Sequence, residues 1–245
     1  HLHMPKFDSW GREDLLDYIR IGTDDRIYAI AQLLRMGVSV EEIVEKSTID
    51  AFFIRKLRNI ISMERELSGA VMDSSVYYQA KKMGFSDRAV AQIWNVPERK
   101  VFALRQSSNI RPVYKMIDSC AGEFDSYIPY FYSTYETENE SVVSDKKKVI
   151  VLGSGPIRIG QGVEFDYSTV HAIQTIKNAG YEAIIINNNP ETVSTDYTTS
   201  DKLYFEPLTV EDVMNVVEQE KPEGVIASLG GQTAINLAQP LTDLG

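Results

Sequence analysis

The sequence predicts a multi-domain chain in which an all-α helical domain precedes an α/β domain with a parallel sheet. Three observations indicate this fold class. Apolar residues recur at helical spacing in the first half, buried strands alternate with helices after residue 148, and the charge balance differs between the halves. Residues 1–135 hold 18 basic and 18 acidic side chains, whereas residues 136–245 hold 7 and 17 and carry the whole net charge of −10.

Composition narrows the class of protein further. With 43% hydrophobic and 24% charged residues, the chain is typical of globular proteins. Its single cysteine, Cys120, excludes a disulfide framework and a zinc cluster within the chain and favours a reducing, cytoplasmic location. No apolar run approaches the roughly 20 residues that a membrane-spanning helix needs, so no membrane partner is expected. His1 and His3 precede Met4, and we expect residues 1–7 to be a disordered cloning remnant and not a metal site.

A repeat with an offset of 47 residues organises the first half. The letters MGVS at 36–39 return as MGFS at 83–86. Ser39 and Glu42 form a capping box at the start of a helix in the first copy. Apolar positions match at the same offset: Ile43 with Val90, Ile49 with Val96, Ile54 with Val101 and Leu57 with Leu104. The repeat predicts two helix–turn–helix units that pack on each other or on a partner subunit.

Nucleic-acid binding is an alternative for this helical half. Residues 86–105 have the form of a helix-turn-helix, and residues 81–110 carry six basic and two acidic side chains. Against this, residues 1–135 are neutral overall, and a chain with a net charge of −10 would repel a phosphate backbone. Packing of the helices on each other is the better interpretation, and no nucleic-acid partner is predicted.

The expected domain boundaries follow from composition. Residues 109–137 are dense in aromatic side chains with few basic ones among them, which indicates a packing collar at the end of the helical domain. The polar run at 136–148 is typical of an exposed linker. We therefore expect a helical domain with its collar at 8–137, a linker at 138–147 and the α/β domain at 148–245.

A glycine-rich loop follows the first strand of the α/β domain, which is expected at 149–152. Its glycines are Gly153, Gly155, Gly160 and Gly162. A dinucleotide fingerprint requires a glycine three positions after Gly155, where Arg158 stands, and an acidic residue where the second strand ends in Asn187. A phosphate-binding P-loop requires a lysine where Gln161 stands. The loop therefore lacks the parts of both nucleotide sites.

The rest of this domain alternates helices and strands. The expected elements are a helix at 168–179, a strand at 182–187, a polar loop at 187–201, a strand at 202–205, a helix at 209–220, a strand at 224–229 and a helix at 230–244. This order predicts a Rossmann-like unit with a parallel sheet. Loops that follow the strands lie at the edge where open α/β sheets bind ligands.

Long stretches of the chain resemble one family. They are GSGPIRIGQGVEFDY at 153–167, NNNPETVSTDYTTSDKLYFEP at 187–207, GGQT at 230–233, and, upstream, RPVYKMIDSCAGEF at 111–124 and YFYSTYETE at 130–138. These motifs are similar to the large subunit of carbamoyl phosphate synthetase. The helical repeat resembles the oligomerisation domain of that family, and the α/β domain resembles the pre-ATP-grasp domain that opens its second, carbamoyl-phosphate-forming half.

The resemblance implies a parent enzyme that is an ATP-dependent ligase. It makes carbamoyl phosphate from bicarbonate, glutamine-derived ammonia and two ATP, for pyrimidine and arginine synthesis. ATP with Mg²⁺ or Mn²⁺ is held by ATP-grasp domains, and a glutaminase subunit or domain supplies the ammonia. The sequence ends where an ATP-grasp domain is expected to begin, so we expect this part to hold no catalytic residue, metal or cofactor and to be inactive alone. Its expected partners are the other large-subunit domains, the glutaminase and a second copy.

The same resemblance assigns roles to individual residues. Arg158, Gly162 and Glu164 match the positions that line the passage of carbamate to the second active centre. The loops expected to face that centre contribute Gly153, Gly155, Gly160, Asn189, Glu191, Thr192, Thr195, Gly231, Gln232 and Thr233. In the plainer alternative, Arg158 and Glu164 form a surface salt bridge, and the loop residues only hold backbone groups.

A second function from a different class is a dinucleotide-binding Rossmann regulator with a helical dimerisation domain. It shares the predicted fold but requires NAD(H) or NADP(H) in the glycine loop. Thermal-shift titration with these dinucleotides discriminates the two hypotheses, because a ligand that binds only the native state raises its stability.

Overall fold

The computed structural model describes residues 2–124, 127–158 and 160–244. These residues form two compact units that divide between Ile110 and Arg111. The first unit is helical and the second is an α/β unit with a mostly parallel sheet, which confirms the predicted fold class. No helix in these residues is both long enough and apolar enough to cross a bilayer.

The helical unit consists of short amphipathic helices around an aliphatic interior. Its helices are α1 (Arg12–Tyr18), α2 (Arg26–Arg35), α3 (Val40–Ser47), α4 (Ala51–Gly69), α5 (Ser74–Lys82), α6 (Asp87–Trp94) and α7 (Glu98–Ser107). Leu15, Leu33, Ile43 and Ile54 are fully buried and belong to one cluster. Burial of these side chains stabilises the unit, because all of these helices except α4 have ten residues or fewer and would be marginal in water alone.

The predicted repeat is present and is longer than the helix–turn–helix unit. The helices α2, α3 and α4 of the first copy correspond to α5, α6 and α7 of the second at the offset of 47. Ser39 and Ser86 both cap their helices, accepting hydrogen bonds from Glu42 N at 3.2 Å and Ala89 N at 3.1 Å. Gly37 and Gly84 have φ of 84° and 85°, a conformation that glycine adopts without strain. The capping chemistry therefore recurs with the fold.

The interiors of the two copies are chemically different. Where the first copy buries Ile30, Leu34 and Val40, the second copy has Tyr77, Lys81 and Asp87 at the matching positions, all 5% exposed or less. Lys81 Nζ lies 3.3 Å from one Asp87 oxygen and Arg105 Nε lies 3.0 Å from the other, while the Tyr77 hydroxyl also donates to Asp87. Burial raises the pKa of the Asp87 carboxyl, whereas the positive charges of Lys81 and Arg105 and the hydrogen bonds to it lower that pKa. The net shift of the pKa is downward.

The α/β unit is built on one sheet. In the described part of the chain its strands are β1 (Val113–Met116), β2 (Tyr130–Thr134), β3 (Lys148–Leu152), β4 (Glu182–Asn187), β5 (Lys202–Phe205) and β6 (Gly224–Ile226). The order across the sheet is β1-β2-β5-β4-β3-β6, and only the β1–β2 pair is antiparallel. The order of β5, β4, β3 and β6 is that of a Rossmann-like half, with its switch point between β3 and β6.

Helices cover both faces of this sheet. They are α8 (Gly162–Asn178), α9 (Val210–Glu220) and α10 (Gly231–Leu244). Ile173 of α8 packs with Val151 and Ile185 on one face. Val213 of α9 and Ala234 of α10 pack with the opposite face. Because both faces are buried, the central strands are continuously apolar, as the sequence pattern indicated.

Buried ion pairs close the amino edge of the sheet. Lys148 and Lys202 begin β3 and β5, and Glu220 ends α9. Lys148 Nζ lies 3.2 Å and Lys202 Nζ 2.7 Å from the two Glu220 oxygens, and all three residues are 4% exposed or less. The Tyr204 hydroxyl donates to the same carboxylate. The amino edge is therefore occupied by partnered charges, and the loops that follow the parallel strands lie at the opposite edge.

The domain boundaries differ from those expected at 8–137, 138–147 and 148–245. The aromatic segment does not form a collar on the helical unit, because β1 and β2 belong to the sheet and bury Tyr114 and Phe131 there. The expected linker is also fixed to the α/β unit, since Ser141 is 3% exposed and hydrogen bonds Tyr204 at 2.6 Å. The polar composition of residues 136–148 gave no sign of these long-range contacts.

Two further details differ from the sequence-based expectations. Residues 1–7 are not a disordered tail in the part that is described: Phe7 is 1% exposed and its ring packs against Trp10 and Tyr18, whereas His1 lies outside the described residues. The helix expected at 168–179 begins at Gly162. It has no side-chain cap at its start, so the usual signal for a helix N-terminus is missing.

Candidate functional site at the carboxyl edge of the sheet

Loops from four parallel strands meet around Gly155. A Cβ atom built on Gly155 would lie 3.1 Å from Leu208, 3.4 Å from Asn188 and 3.6 Å from Thr233. These three residues follow β5, β4 and β6, and Gly155 itself follows β3. Gly155 has φ of 65°, which only glycine adopts readily. The predicted loops therefore do come together at the edge where open α/β sheets bind ligands.

Asn187 ties two of these loops together. Its side-chain oxygen accepts hydrogen bonds from the backbone N–H groups of Gly155 at 3.0 Å, Asn188 at 2.9 Å and Asn189 at 3.4 Å. The residue is fully buried. Its Nδ2 is also buried and has no hydrogen-bond partner among the described residues. One amide oxygen thus fixes the end of β4 against the glycine loop.

The glycine loop packs closely against the loops that follow the neighbouring strands. Asn187 occupies the position of the ribose-binding acid, and its Cγ would lie 2.5 Å from a Cβ on Gly153. On the other side a Cβ on Gly230 would lie 2.2 Å from the carbonyl oxygen of Gly153. Gly231 has φ of 65° and lies against the Phe165 ring. These contacts show that Gly153, Gly230 and Gly231 are required by close packing of the loops that follow β3 and β6.

The loop after β4 is held by hydrogen bonds within the loop and by one hydrogen bond to α8. Asp166 accepts from Ser194 N at 3.0 Å, and Asn189 accepts from Glu191 N at 3.0 Å. The Thr195 hydroxyl donates to Thr192 O at 2.8 Å. Asn189 and Thr195 therefore hold backbone groups, which was the plainer alternative for these two residues, and the Glu191 side chain is left exposed.

The three residues expected to line the passage lie around the start of α8. Arg158 is in the loop before the helix, and Gly162 and Glu164 are in its first turn. Arg158 and Glu164 are exposed, and Gly162 is half-buried beside Ile157. Arg158 N donates to the Gln161 side chain at 3.1 Å, which shapes the turn. Among the described residues neither the Arg158 guanidinium nor the Glu164 carboxylate takes part in an ion pair, so these two side chains do not form the salt bridge of the plainer alternative.

The remaining loop residues differ in exposure. Gly160 is exposed and has φ of 93°, so the backbone requires glycine there. Gln232 is exposed and donates to Asn236 at 2.6 Å, one turn further along α10. Thr192 and Thr233 are half-buried. The structure thus presents Gly160 and Gln232 to solvent and keeps Gly153, Gly155 and Gly231 inside the loop packing.

An apolar groove beside α8 was not expected from the sequence. It has a volume of about 360 Å³ and is lined by Val163 and Tyr167 of α8 and by Val193 of the loop after β4. These three side chains are 83%, 66% and 59% exposed. The signal was present, because positions 163 and 167 lie one turn apart on a helix. It was missed because the helix was expected to begin at residue 168.

A buried carboxyl group at the end of β5 was also missed. Glu206 is 3% exposed, and its side chain accepts hydrogen bonds from the backbone N–H and the hydroxyl of Ser133 on β2. Burial raises the pKa of Glu206 to about 7; Ser133 opposes this shift and the Asp212 charge adds to it. The described residues contain no group of three or more His, Cys, Asp or Glu side chains placed to hold a metal ion.

Two family models match successive parts of the chain. Residues 1–109 match the carbamoyl-phosphate synthetase large chain oligomerisation domain. Residues 145–245 match the carbamoyl phosphate synthase preATP-grasp domain. The chain belongs to the carbamoyl phosphate synthase large-chain family. The first match ends one residue before the helical unit does. The second match covers β3 to α10 with the converging loops, but it begins at residue 145, so β1 and β2 of the α/β unit lie outside it.

Proposed function

We propose that this chain contributes to ATP-dependent carbamoyl phosphate synthesis as part of a synthase large chain. The helical unit would mediate subunit association, and the carboxyl edge of the α/β unit would form part of the wall of the second active centre. The overall reaction would use bicarbonate, glutamine-derived ammonia and two ATP, and would serve pyrimidine and arginine synthesis in the cytoplasm. The observation that carries this proposal is the convergence of four loops in a domain that matches the preATP-grasp family model.

Gly162 gives the strongest support for a passage beside α8. A Cβ on Gly162 would meet only Ile157, at an ordinary 3.5 Å, and the backbone there is helical. Neither packing nor conformation requires glycine at this position, unlike Gly153, Gly230 and Gly231. Glycine is therefore best explained by the space that it keeps open. Arg158 and Glu164 would offer a donor and an acceptor to a small polar intermediate in that space.

The nucleotides would bind elsewhere in the parent enzyme. Because the loop has Arg158, Gln161 and Asn187 where nucleotide-binding motifs require other residues, we assign ATP and its Mg²⁺ or Mn²⁺ to ATP-grasp domains and not to this loop. A glutaminase subunit or domain would supply ammonia. The described residues would then position the intermediate and exclude water, and they would carry out no chemical step alone.

Ligand titration and an assay test this proposal. We expect no change in the midpoint of thermal unfolding with millimolar NAD(H), NADP(H) or Mg-ATP. We also expect no bicarbonate-dependent ATP hydrolysis by the chain alone. Stabilisation by a dinucleotide would support the regulator hypothesis instead, because binding to the native state alone raises the unfolding midpoint. Turnover by the chain alone would contradict the absence of a catalytic step.

In a large chain that contains this sequence, the passage residues can be tested directly. Substitution G162L should block the passage and lower carbamoyl phosphate formation, while bicarbonate-dependent ATP hydrolysis at the first centre continues. The exposed position Val142, which lies outside these loops and is 77% exposed, provides the control substitution V142L. If G162L and V142L formed the same amount of carbamoyl phosphate per ATP hydrolysed, the proposed passage beside Gly162 would be refuted.

A further inference from the structure

Large apolar side chains are exposed at one end of the helical unit. Ile21 is 64%, Ile27 41%, Phe52 56% and Phe53 60% exposed. The two phenyl rings contact each other edge to face, with centroids 5.4 Å apart. Isolated exposed apolar residues are ordinary, whereas several of them at one end of a unit, surrounded by polar residues, indicate an interaction site. We refer to Ile21, Ile27, Phe52 and Phe53 as the apolar end.

Hydrogen bonds between α2 and α4 bring these residues to the same end. Arg35 Nε and Nη2 lie 2.9 and 3.0 Å from the two oxygens of Glu64, which joins the last residue of α2 to the second half of α4. At the other end, Arg26 Nη1 lies 3.5 Å from both Ile19 O and Ser47 O. The two helices therefore run in the same direction. Their first turns lie at one end of the unit, beside the loop that carries Ile21.

The internal repeat shows that the fold does not require this apolar surface. At the offset of 47, Ile27, Phe52 and Phe53 correspond to Ser74, Arg99 and Lys100. These polar residues are exposed at the starts of α5 and α7, the counterparts of α2 and α4. The second copy folds with polar residues at each of these positions. The apolar side chains of the first copy therefore have a role other than folding.

We infer that the apolar end binds the same surface of a second copy of this chain. Charged side chains of both signs surround it: Asp24 and Asp50 are exposed, as are Arg55 and Lys56. In a two-fold symmetric contact the same patch faces itself, so a rim of one sign would repel, whereas a mixed rim can pair acids with bases. Phenylalanine rings provide the buried anchor that such contacts need. The inference rests on the proposed self-association of the helical unit and assigns it a surface.

The repeat also supplies the test variant. The substitutions I27S, F52R and F53K give the first copy the residues that the second copy already tolerates, so the fold should be retained. The control substitutions V71S and M83S remove exposed apolar side chains, 53% and 41% exposed, from other positions of the unit. Sedimentation velocity over a concentration series should show a dimer for the native chain and the control. The triple variant should dimerise at least tenfold more weakly.

Each outcome decides a separate point. Equal dimerisation of the triple variant and the native chain would overturn the surface but leave self-association intact. Equal weakening in the control would also overturn it, because the effect would not be specific. A native chain that stays monomeric would overturn both the surface and the proposed self-association. If the apolar end became protected from solvent only on addition of other large-chain domains, the second-copy assignment would be wrong. Should circular dichroism show the triple variant unfolded, F53K alone is compared.

Discussion

The Glu206 side chain binds both the backbone N–H and the hydroxyl of Ser133, where the backbone ladder between β5 and β2 has ended. The ladder itself pairs only Tyr130 with Leu203 and Phe131 with Tyr204. One carboxyl group therefore extends a very short strand pairing, and β1 joins the sheet by backbone pairing with β2. The protonation state of Glu206 is consequently coupled to the attachment of these two strands.

Substitution E206Q should reduce the pH dependence of stability. The pKa of Glu206 is raised from 4.5 to about 7 in the folded protein, chiefly by burial, so the folded state holds this proton more tightly. Its contribution to stability is complete below pH 4.5 and is lost as the pH rises through 7, by up to about 3 kcal/mol. Urea unfolding at pH 5 and pH 8 should show this loss for the native chain and not for E206Q. Parallel pH profiles of the two proteins would contradict the assignment.

Substitution N187A should destabilise the α/β unit more than N187D does. Alanine leaves the N–H groups of Gly155, Asn188 and Asn189 without their acceptor, which costs about 1–3 kcal/mol for each N–H that stays buried and unpaired. Aspartate keeps the acceptor and removes the unpartnered Nδ2 donor. Urea unfolding measures the difference, and amide hydrogen exchange at Gly155 localises it. Equal destabilisation by both substitutions would show that the hydrogen bonds do not matter.

Two glycine-to-alanine substitutions should have opposite effects. In G230A the new Cβ meets the Gly153 carbonyl at 2.2 Å, a backbone atom that cannot move away, so we expect a loss of about 3 kcal/mol or failure to fold. In G162A the nearest atom is at 3.5 Å and the residue is helical, so stability should be unchanged or rise by up to about 1 kcal/mol. Thermal unfolding of both variants provides the test. A destabilised G162A would remove the argument that its glycine serves a passage.

The buried charges of the second repeat predict a large effect for D87A. Removing the carboxylate leaves Lys81 and Arg105 buried without their shared counter-ion, and this should cost about 3–5 kcal/mol. The combined variant Y77I/K81L/D87V/R105M replaces the network with apolar side chains. The first three are the residues of the first copy at the matching positions, whereas the first copy has Arg58 at the position of Arg105. The combined variant should be more stable than D87A, because well-packed apolar residues replace an ion-pair cluster at little cost. Denaturant unfolding ranks the two, and the reverse order would contradict this account.

Local chemistry was predictable from the sequence, and long-range pairing was not. The capping by Ser39 and the strand at 182–187 depend on neighbouring residues, and both are present as expected. The membership of β1 and β2 in the sheet depends on contacts such as Glu206 with Ser133, which are 73 residues apart in sequence. A short strand in an aromatic segment carries little pattern of its own, so its partner could not be inferred.

The candidate site was also predictable only in part. Its position at the carboxyl edge followed from the alternation of strands and helices, and the loops do meet there. The sequence shows that Asn187 stands where a dinucleotide site needs an acid, but it does not show that this side chain packs directly against Gly153. Likewise, prediction of the apolar groove beside Val163 required the position at which α8 begins. No capping side chain marks that position in the sequence.

The edges of the sheet limit how this protein can aggregate. At one edge β6 is only three residues long and is preceded by Glu223, which lies 3.8 Å from Lys147. At the other, β1 has four residues, and Lys115 within it pairs with Glu140 at 3.1 Å. Short edges that carry charge give an incoming strand few groups to pair with. The α/β unit is thus protected against strand-by-strand polymerisation, and crowded molecules of this chain have little opportunity to join sheet to sheet.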